Sequence, residues 1–332
     1  MVVFGEEPLL RECAEAILRS NDVDAELIIV ENGGSESTIK SIEEDLACSV
    51  IRPGHNTGFA LGCNLGVARG DGEYVALVNP DAIVDPGAIR HLVDSVATDG
   101  RKIVTASIRL MGDPTVINSA GTEISILGVS WAARFGDLAD PEEDPYLVAG
   151  ANGGALLCAR AIWEELEGLE SEMFAYYEDA DLSIRAWQRG IPTEFVPTAV
   201  TVHDYHFSKN QRKYYLLERN RLISILTCFE TRYLLLTLPL HIAGEMWLVL
   251  YAARNGWIRE KMAAYVWLVR HRGWLRQRRR RLRERRTASL TTFYDLLTTS
   301  VTPANLPGVQ ARPGIERILE MAWTLVRRLG RF

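Results

Sequence analysis

Short apolar runs alternate, in the first hundred residues, with segments in which apolar residues recur every three or four positions. The apolar runs predict strands at 2–4, 26–30, 49–52 and 74–78. The periodic segments predict helices at 8–20, 38–46 and 87–96. Strands and helices that alternate in this way predict an α/β domain with parallel strands.

The run Tyr74–Val78 is almost fully apolar and leads directly into Asn79-Pro80-Asp81. Such a run is expected for a central strand that is buried on both faces of a parallel sheet. A carboxylate at the carboxyl end of such a strand lies where open α/β sheets bind ligands, so Asp81 is a candidate binding residue. The alternative is that Asp81 only caps a turn.

A glycine-rich segment, Asn56–Gly66, precedes this strand and has glycines at 58, 62 and 66. On a helix, glycines four residues apart form a bare stripe that another group can approach closely. Two interpretations are open. The stripe packs against a neighbouring helix, or it contacts a nucleotide, with Asn56 and Asn64 as polar partners.

A cluster of acids begins the helix predicted near residue 176. Glu178, Asp179 and Asp181 lie in its first turn, where the helix dipole favours negative charge. Asp181 and Arg185 are four residues apart and are expected to form an ion pair. Capping and pairing account for Asp181, but they do not require all three carboxylates.

Two further segments frame this cluster. The span 111–144 is predicted to be irregular, and irregular chain of that length is usually functional or mobile. The strand predicted at 193–203 ends in His203. A single histidine after a strand is more often structural than a ligand.

Five motifs, taken in order, give the chain a specific resemblance. They are Glu31-Asn-Gly-Gly-Ser, Asn56-x-Gly-Phe-Ala-x-Gly-x-Asn64, Asn79-Pro-Asp81, Tyr177-Glu-Asp-Ala-Asp-Leu182 and Val202-His203. Over roughly residues 1–228 the chain resembles a family-2 glycosyltransferase with the GT-A fold, a Rossmann-like nucleotide-diphospho-sugar transferase fold. It most resembles the rhamnosyltransferase-like branch, in which Asn-Pro-Asp replaces the Asp-x-Asp signature.

The resemblance implies a role for individual residues. Asp81 and His203 would bind Mn2+ or Mg2+, Asp179 would be the catalytic base, and Glu178 would orient the acceptor or shape the site. The residues that would contact the nucleotide-sugar donor are Glu31, Asn32, Asn56, Gly58, Asn64, Asn79 and Asp81. The chemistry agrees, because hard cations take oxygen ligands and an inverting transfer needs one general base.

The chain departs from the family pattern at several points. Glu31 stands where Asp is usual, and its longer side chain is expected still to reach the base or ribose. Asn79 removes one charge from the metal site, so a modest metal affinity is expected. The Gln-x-x-Arg-Trp signature of processive synthases is missing, which favours the addition of one sugar per encounter.

The segment 233–253 is largely apolar and has the length of a membrane span. Thr237, His241 and Glu245 nevertheless form a polar stripe on it, and a charge at mid-membrane costs roughly 3 kcal/mol. We therefore expect a helix that lies on or partly in the bilayer, or that packs on the catalytic domain. A true span is the alternative.

A basic run follows at 270–286, with ten Arg and one Glu. The net charge of the whole chain is −6, so a local +9 leaves about −15 for the remainder. Trp267-Leu268, Trp274-Leu275 and Leu282 form an apolar stripe among these arginines, which is typical of a helix on an anionic membrane. Nucleic-acid binding and a solvated helix are the alternatives.

The sequence thus predicts a GT-A domain at 1–228 and a helical, membrane-associating region at 229–332. We expect an inverting, metal-dependent glycosyltransferase that uses dTDP-L-rhamnose, or alternatively a UDP-hexose, and a lipid-linked or cell-surface glycan acceptor. Five scattered cysteines without a CxxC pair indicate reduced thiols, so we expect a peripheral or monotopic protein on the cytoplasmic side of the membrane. The rival from another class is a nucleic-acid-binding or membrane-binding protein with an inactive transferase domain. The intact set Asp81, Asp179 and His203 argues against that rival, and no nucleic-acid partner is expected.

Overall fold

The computed structural model describes residues 1–140, 142–204, 211–300 and 313–330. In these ranges the strands are β1 (Val2–Val3), β2 (Leu27–Glu31), β3 (Cys48–Ile51), β4 (Tyr74–Val78), β5 (Ala82–Val84), β6 (Ile103–Leu110), β7 (Asp113–Ser119), β8 (Thr122–Ile124), β9 (Ser130–Ala132), β10 (Tyr146–Leu147), β11 (Ala155–Ala159) and β12 (Thr193–His203). The α-helices are α1 (Leu10–Leu18), α2 (Glu36–Asp45), α3 (Gly58–Arg69), α4 (Ala88–Asp99), α5 (Arg160–Glu165), α6 (Glu178–Trp187), α7 (Gln211–Cys228), α8 (Thr231–Arg254), α9 (Ile258–Arg270), α10 (Arg272–Arg285), α11 (Thr291–Asp295) and α12 (Pro313–Gly330).

The chain forms two compact units. The first consists of Met1–Thr122, Ala132–Ala186 and Ile191–His206, and the second of Glu123–Trp131, Trp187–Gly190 and Phe207–Phe332. Helix α7 lies in the second unit, although the sequence-based division at residue 228 assigned it to the transferase domain. That division stays a prediction about which part of the chain performs catalysis.

The alternation of strands and helices predicted for the beginning of the chain is confirmed. β1, β2 and β3 form a parallel sheet, in which Val30 of β2 stands opposite Val2 and Leu27 opposite Cys48. Each crossover is a helix, α1 and then α2, as parallel neighbours require.

The second sheet has the strand order β10-β12-β6-β11-β4, with β5 paired to β12 and β7 paired to β6. The expectation that Tyr74–Val78 is a central parallel strand is wrong. Among the described strands, β4 pairs only with β11, and the pairing is antiparallel. An apolar run indicates that a strand is buried, but parallel and antiparallel partners can bury the same side chains, so the run does not specify the direction of its neighbour.

The span 111–144, expected to be irregular, contains three short strands, β7, β8 and β9. β7 pairs antiparallel with β6, and the register shifts twice along that ladder. Strands of three to seven residues with shifted registers give too little regular alternation to be recognised in the sequence. This span supplies one residue of the candidate site described below.

Apolar side chains pack on both faces of the second sheet. Ala155 and Leu157 of β11 belong to one cluster, which also contains side chains of α1, α2 and α4. Leu156 and Cys158 point the other way and join a cluster with side chains of α3, α5 and α6. This two-residue period places β11 between two helical layers, so the strand ends are held by packing on both sides.

In the second unit, α9 and α10 pack against α7. The leucines of the apolar stripe in the basic run, Leu268, Leu275 and Leu282, are buried, and its tryptophans Trp267 and Trp274 are half-buried. Arg278 is buried as well and donates a hydrogen bond to Thr227. The expectation that this stripe faces a membrane is therefore wrong, since periodicity shows that a helix has an apolar face but not what covers it.

Candidate active site

Strand pairing brings the two predicted metal ligands together. The end of β12 pairs antiparallel with β5, so that His203 stands opposite Ala82. Asp81 immediately precedes β5, and its Oδ1 lies 3.1 Å from Nε2 of His203. The structure therefore places two residues that are far apart in the sequence at one point on the sheet edge.

Asn118 on β7 orients the ring of His203. Its Oδ1 lies 3.1 Å from Nδ1 of His203. An amide oxygen can only accept a hydrogen bond, so Nδ1 carries a proton, and Nε2 is the ring nitrogen that faces Asp81. Asn118 was not among the predicted site residues, because it lies in the span expected to be irregular. The β-branched run Thr115–Ile117 just before it was the available signal for a strand.

The pair Asp81–His203 fits a hard divalent cation. Asp81 Oδ1 is a buried carboxylate oxygen that lies 3.1 Å from His203 Nε2 and accepts no hydrogen bond from the described part of the chain, so it is available to a cation. A carboxylate oxygen and an imidazole nitrogen are both donors that Mn2+ accepts, and the carboxylate oxygen also suits Mg2+. Within the described ranges no group of three or more His, Cys, Asp or Glu side chains is placed to hold a metal.

The surroundings of Asp81 are acidic. Glu7 follows β1, and its backbone N–H donates to Ser35 Oγ, which ties this segment to the glycine-rich turn after β2. Burial raises the pKa of Glu7, and the negative charges of Asp81 and Asp204 raise it further. Three carboxylates that influence one another in this way create a negative potential, which attracts cations.

Asp179 is held at the start of α6 by backbone N–H groups. Its Oδ2 accepts a hydrogen bond of 2.9 Å from Gly153 N, and its Oδ1 accepts one of 2.7 Å from Ala180 N. Burial raises the pKa of Asp179, and these N–H donors lower it part of the way back. The net pKa is higher than that of an ordinary aspartate, which suits a general base near neutral pH.

The turn Asn152-Gly153-Gly154 connects Asp179 to the turn that contains Asp81. Gly153 N donates to Asp179, and Gly154 O accepts a hydrogen bond of 2.9 Å from Asn79 N. Asn79 O in turn accepts from Ala82 N, which closes the turn that contains Asp81. A Cβ atom on Gly153 would stand 3.4 Å from the Cβ of Asp179, so the turn packs directly against this side chain. Neither glycine was predicted as a site residue.

Glu178 differs from its neighbour. Only 6% of its surface is exposed, and burial followed by the charge of Asp179 raises its pKa to about 8. Its charge also contributes, after burial, to the raised pKa of Cys63 on α3, which belongs to the core. The predicted role in orienting the acceptor remains a prediction. The burial of Glu178 favours the second role predicted for it, which is to shape the site.

The loop before α6 has an unusual backbone. Phe174, Tyr176 and Tyr177 have φ values of 65°, 66° and 74°, in the left-handed region that side chains disfavour. Each such residue costs on the order of 1–3 kcal/mol, so the loop needs support from its neighbours. Strained backbone of this kind is typical of functional sites.

Helix α3 provides that support. Asn64 donates from Nδ2 to Leu169 O at 2.8 Å and to Ser171 Oγ at 3.1 Å, and its Oδ1 accepts from Leu169 N at 3.0 Å. Ala60 N donates to Phe174 O at 3.0 Å. A Cβ on Gly58, whose φ is +79°, would stand 2.5 Å from that same oxygen. Gly58 and Asn64 therefore hold the loop that leads to Asp179.

The polar residues before α3 are also engaged with the protein. Asn32 is buried, donates to Gly58 O at 2.8 Å and accepts from Thr57 Oγ1 at 2.7 Å. Asn56 Oδ1 accepts from Gly58 N at 2.8 Å. These contacts fix the start of α3 relative to the end of β2, so both asparagines have a structural role here.

The glycine stripe of α3 packs on a sheet. A Cβ on Gly62 would stand 2.9 Å from Val2 Cγ1, and one on Gly66 would stand 3.4 Å from Val30 Cγ2. Of the two interpretations left open by the sequence, close packing describes these contacts, with strands in place of the helix that was expected. Glu31, at the end of β2, forms an ion pair of 3.1 Å with Arg52. Its side chain is therefore tied to the end of β3.

The ion pair expected on α6 is present. Arg185 Nε donates to Asp181 Oδ2 at 2.8 Å, and both side chains are buried. The other guanidinium nitrogens of Arg185 donate to Leu166 O and Gly168 O. Arg185 thus holds the beginning of the same loop that α3 supports.

Comparison with known proteins identifies the family. The model of Glycosyl transferase family 2 matches residues 1–166, which is half of the chain. The chain belongs to glycosyl transferase family 2. The transferase is 24% identical over 228 residues to N-acetylglucosaminyl-diphospho-decaprenol L-rhamnosyltransferase of Mycobacterium tuberculosis, covering 61% of this chain and 74% of that relative. It is 23% identical over 239 residues to the low-salt glycan biosynthesis hexosyltransferase Agl10 of Haloferax volcanii, covering 67% and 75%.

Solved structures confirm that the transferase has the GT-A fold. GalNAc-T7 with UDP, GalNAc and Mn2+ superposes with a TM-score of 0.58 at 16% identity, over 68% of this chain and 47% of that chain. The mannosyltransferase PcManGT from Pyrobaculum calidifontis, in complex with GDP-Man and Mn2+, has a TM-score of 0.50 at 14% identity, over 99% and 85%. The transferase spans about half the length of GalNAc-T7. The predicted fold and enzyme class are confirmed.

Proposed function

We propose that this glycosyltransferase works with inversion and depends on a divalent cation bound by Asp81 and His203. Asp179 is its general base. One observation carries the proposal: the pair Asp81–His203, 3.1 Å apart, is linked through Asn79 and Gly153 to the carboxylate of Asp179. One general base close to the two residues that would bind the cation suits a single displacement at an anomeric carbon.

The metal site is supported by its donor set. A carboxylate oxygen and a neutral imidazole nitrogen together suit Mn2+, and Mg2+ accepts the oxygen ligand equally well. Once bound, the cation would neutralise charge on the diphosphate that leaves with the nucleotide. Solved GT-A structures with a nucleotide or nucleotide sugar and Mn2+ support the same class of cofactor and donor. Asn118 keeps the proton on Nδ1 of His203 and so keeps Nε2 available.

Asp179 performs the proton transfer. Its carboxylate takes the proton of the acceptor hydroxyl as that oxygen attacks the sugar, and the nucleoside diphosphate leaves from the opposite face. The two backbone N–H groups hold the carboxylate in one orientation, which removes the need to order it during the reaction. Helix α3 and Arg185 position the loop from which this residue emerges.

The donor we favour is dTDP-L-rhamnose, and the acceptor is a lipid-linked saccharide. The support is the similarity to a relative named as an L-rhamnosyltransferase acting on a diphospho-decaprenol substrate. A UDP-hexose is the second candidate, since another relative of similar identity is named a hexosyltransferase. A lipid-linked acceptor would bring the enzyme to a membrane, and we take the side to be the cytoplasmic one. Of the described helices, α8 has the length and apolar composition of a membrane span.

The deciding experiment is a screen of nucleotide sugars with the full chain. Binding and slow hydrolysis of dTDP-L-rhamnose, UDP-hexoses and GDP-mannose are measured with Mn2+, with Mg2+ and with excess chelator. We expect one donor to bind only when a divalent cation is present, and Asp81→Ala to abolish that binding. Donor turnover at the wild-type rate in excess chelator would contradict the metal-dependent function. Chelator-sensitive turnover of a UDP-hexose alone would replace the rhamnose donor.

A further inference from the structure

One side of α8 is a continuous exposed apolar stripe. Its members recur at three-residue and four-residue intervals and are between 49% and 69% exposed: Leu235, Leu238, Ile242, Met246 and Leu250. Trp247 borders the stripe and is 46% exposed. Large apolar side chains that expose half of their surface in an unbroken row mark an interaction surface.

Residues opposite the stripe and beside it fix α8 to its own unit. Tyr233 is fully buried and donates a hydrogen bond of 2.6 Å to Ile126 O. Glu245 forms ion pairs with Arg221 of α7 and with Lys261 of α9, and Lys261 is completely buried. Because these contacts set the rotation of the helix about its axis, the stripe cannot turn inward without breaking them.

The charged cluster around Glu245 also argues against a membrane span. Burial alone would raise the pKa of Glu245, but the charges of Arg221 and Lys261 and the hydrogen bonds from Lys261 and Tyr265 lower it to about 2. Glu245 is therefore ionised, and moving it away from Arg221 and Lys261 into a bilayer would leave its charge without a partner. Glu245 belongs to the polar stripe predicted from the sequence, and its ion pairs with Arg221 and Lys261 account for its presence there.

A second helix of the same unit has a similar face. α12 contacts α8: Arg232 donates to Leu329 O at 2.7 Å, and Trp323 packs against Tyr233 with ring centroids 5.8 Å apart. The exposed side of α12 consists of Ile318, Met321, Leu325 and Leu329, each at least 56% exposed. Two neighbouring helices thus both leave an apolar row uncovered.

Cations flank these rows. Arg232 and Arg254 lie at the two ends of α8 and are exposed, and Arg328 is exposed in the last turn of α12. Apolar rows that end in arginine, with a tryptophan at their border, match the layers of an anionic bilayer surface. The apolar side chains enter the acyl boundary while the cations remain among the head groups.

We propose that the exposed stripe of α8, together with that of α12, is the surface by which the protein docks on an anionic lipid bilayer. α8 lies in the plane of the membrane and does not cross it. The proposal rests on the proposed function only in that a lipid-linked acceptor requires contact with a membrane. The exposed stripes of α8 and α12 replace the basic run as the proposed docking element, because Leu275 and Leu282 of α10 are buried.

The test is flotation of the purified full chain with vesicles of phosphatidylglycerol and phosphatidylcholine, without donor or acceptor. The test variant combines Leu238→Gln, Ile242→Gln and Met246→Gln on the stripe. The control combines Met262→Gln, Val266→Gln and Val269→Gln, which alters apolar residues on α9 that are 38%, 48% and 63% exposed. We expect the stripe variant to lose about tenfold or more of its vesicle-bound fraction and the control to bind like the wild type.

Equal flotation of the stripe variant and the wild type would overturn the proposal. So would a stripe variant that changes only the sedimentation of the free protein, because the surface would then join two copies of the chain. Circular dichroism and thermal unfolding show whether the variants are folded. If the stripe variant does not fold, quenching of tryptophan fluorescence by brominated lipid is compared between the wild type and Trp247→Phe. The proposal requires less quenching in Trp247→Phe.

The in-plane orientation has its own test. Arg232→Cys and Arg254→Cys are made separately in a Cys48→Ser background and treated, on the outside of sealed vesicles, with a maleimide that cannot cross the bilayer. Labelling of both positions supports an in-plane helix, and labelling of only one would show a span. The stripe variant should keep metal-dependent donor hydrolysis. Absence of hydrolysis in the wild type, with normal flotation, would contradict the proposed function alone.

Discussion

Asn64 on α3 forms a reciprocal pair with the backbone of Leu169, donating from Nδ2 to its carbonyl and accepting at Oδ1 from its N–H. The two residues are 105 positions apart, and both arms of the amide are used within the protein. This pairing gives the glycine-rich helix a function that differs from nucleotide contact. It anchors the strained loop from which the proposed base emerges.

We expect Asn64→Ala to lower kcat and to leave the donor KM close to the wild-type value. The loop loses three hydrogen bonds, so the free energy of unfolding should fall by about 1–3 kcal/mol. Steady-state kinetics with one donor and one acceptor, together with urea unfolding, measure both effects. Ser171→Ala is the control, because it removes only one of the three bonds. A raised donor KM with unchanged kcat would favour the nucleotide-contact interpretation.

Asp179→Asn is expected to lower kcat by about 10²–10⁴, the usual contribution of a positioned general base. The amide keeps the shape of the side chain, so the donor Kd should hardly change. Asp181→Asn is the matched control on the same helix. It breaks the buried pair with Arg185 and should lower the free energy of unfolding by roughly 3–5 kcal/mol. Folded enzyme should keep most of its turnover, because Arg185 still donates to Leu166 O and Gly168 O. Turnover of Asp179→Asn near the wild-type rate would show that another residue is the base.

His203→Ala and Asn118→Ala should both weaken binding of Mn2+ in the presence of a nucleoside diphosphate. His203→Ala removes a ligand. Asn118→Ala frees the imidazole to rotate and to change tautomer, for which a loss of about 10–100-fold in metal affinity is expected. Electron paramagnetic resonance of free Mn2+ measures the binding independently of turnover. An unaltered affinity in Asn118→Ala would mean that the contact with His203 Nδ1 has no part in holding the metal.

Glu178→Gln should flatten the dependence of stability on pH. The pKa of Glu178 in the folded protein is raised to about 8, so its favourable contribution is fully present below about pH 4.5 and is lost as the pH rises through about 8. The wild type should therefore lose more stability than the variant between pH 5 and pH 9, as measured by urea unfolding. Glu44→Gln, at an exposed position on α2, should leave the wild-type slope unchanged. A collapse of kcat in Glu178→Gln with an unaltered pH slope would assign the base to Glu178.

The sequence by itself determined the family, the fold class and the identity of the acids and the histidine at the candidate site. These depend on local signals: apolar runs, helical periodicity, and short motifs in a fixed order, all of which a linear chain displays. The ion pair between Asp181 and Arg185 was also accessible, because four residues on a helix fix its geometry.

Only the tertiary structure decided which partner each element meets. β4 pairs with an antiparallel neighbour from 80 residues later, Asn118 reaches His203 from a hairpin, and Gly153 connects Asp179 to the turn of Asp81. The apolar stripe of the basic run is buried, whereas that of α8 is exposed. Periodicity states that a helix has an apolar face, but what covers that face depends on contacts between residues distant in the sequence. Those contacts are made only when the chain packs.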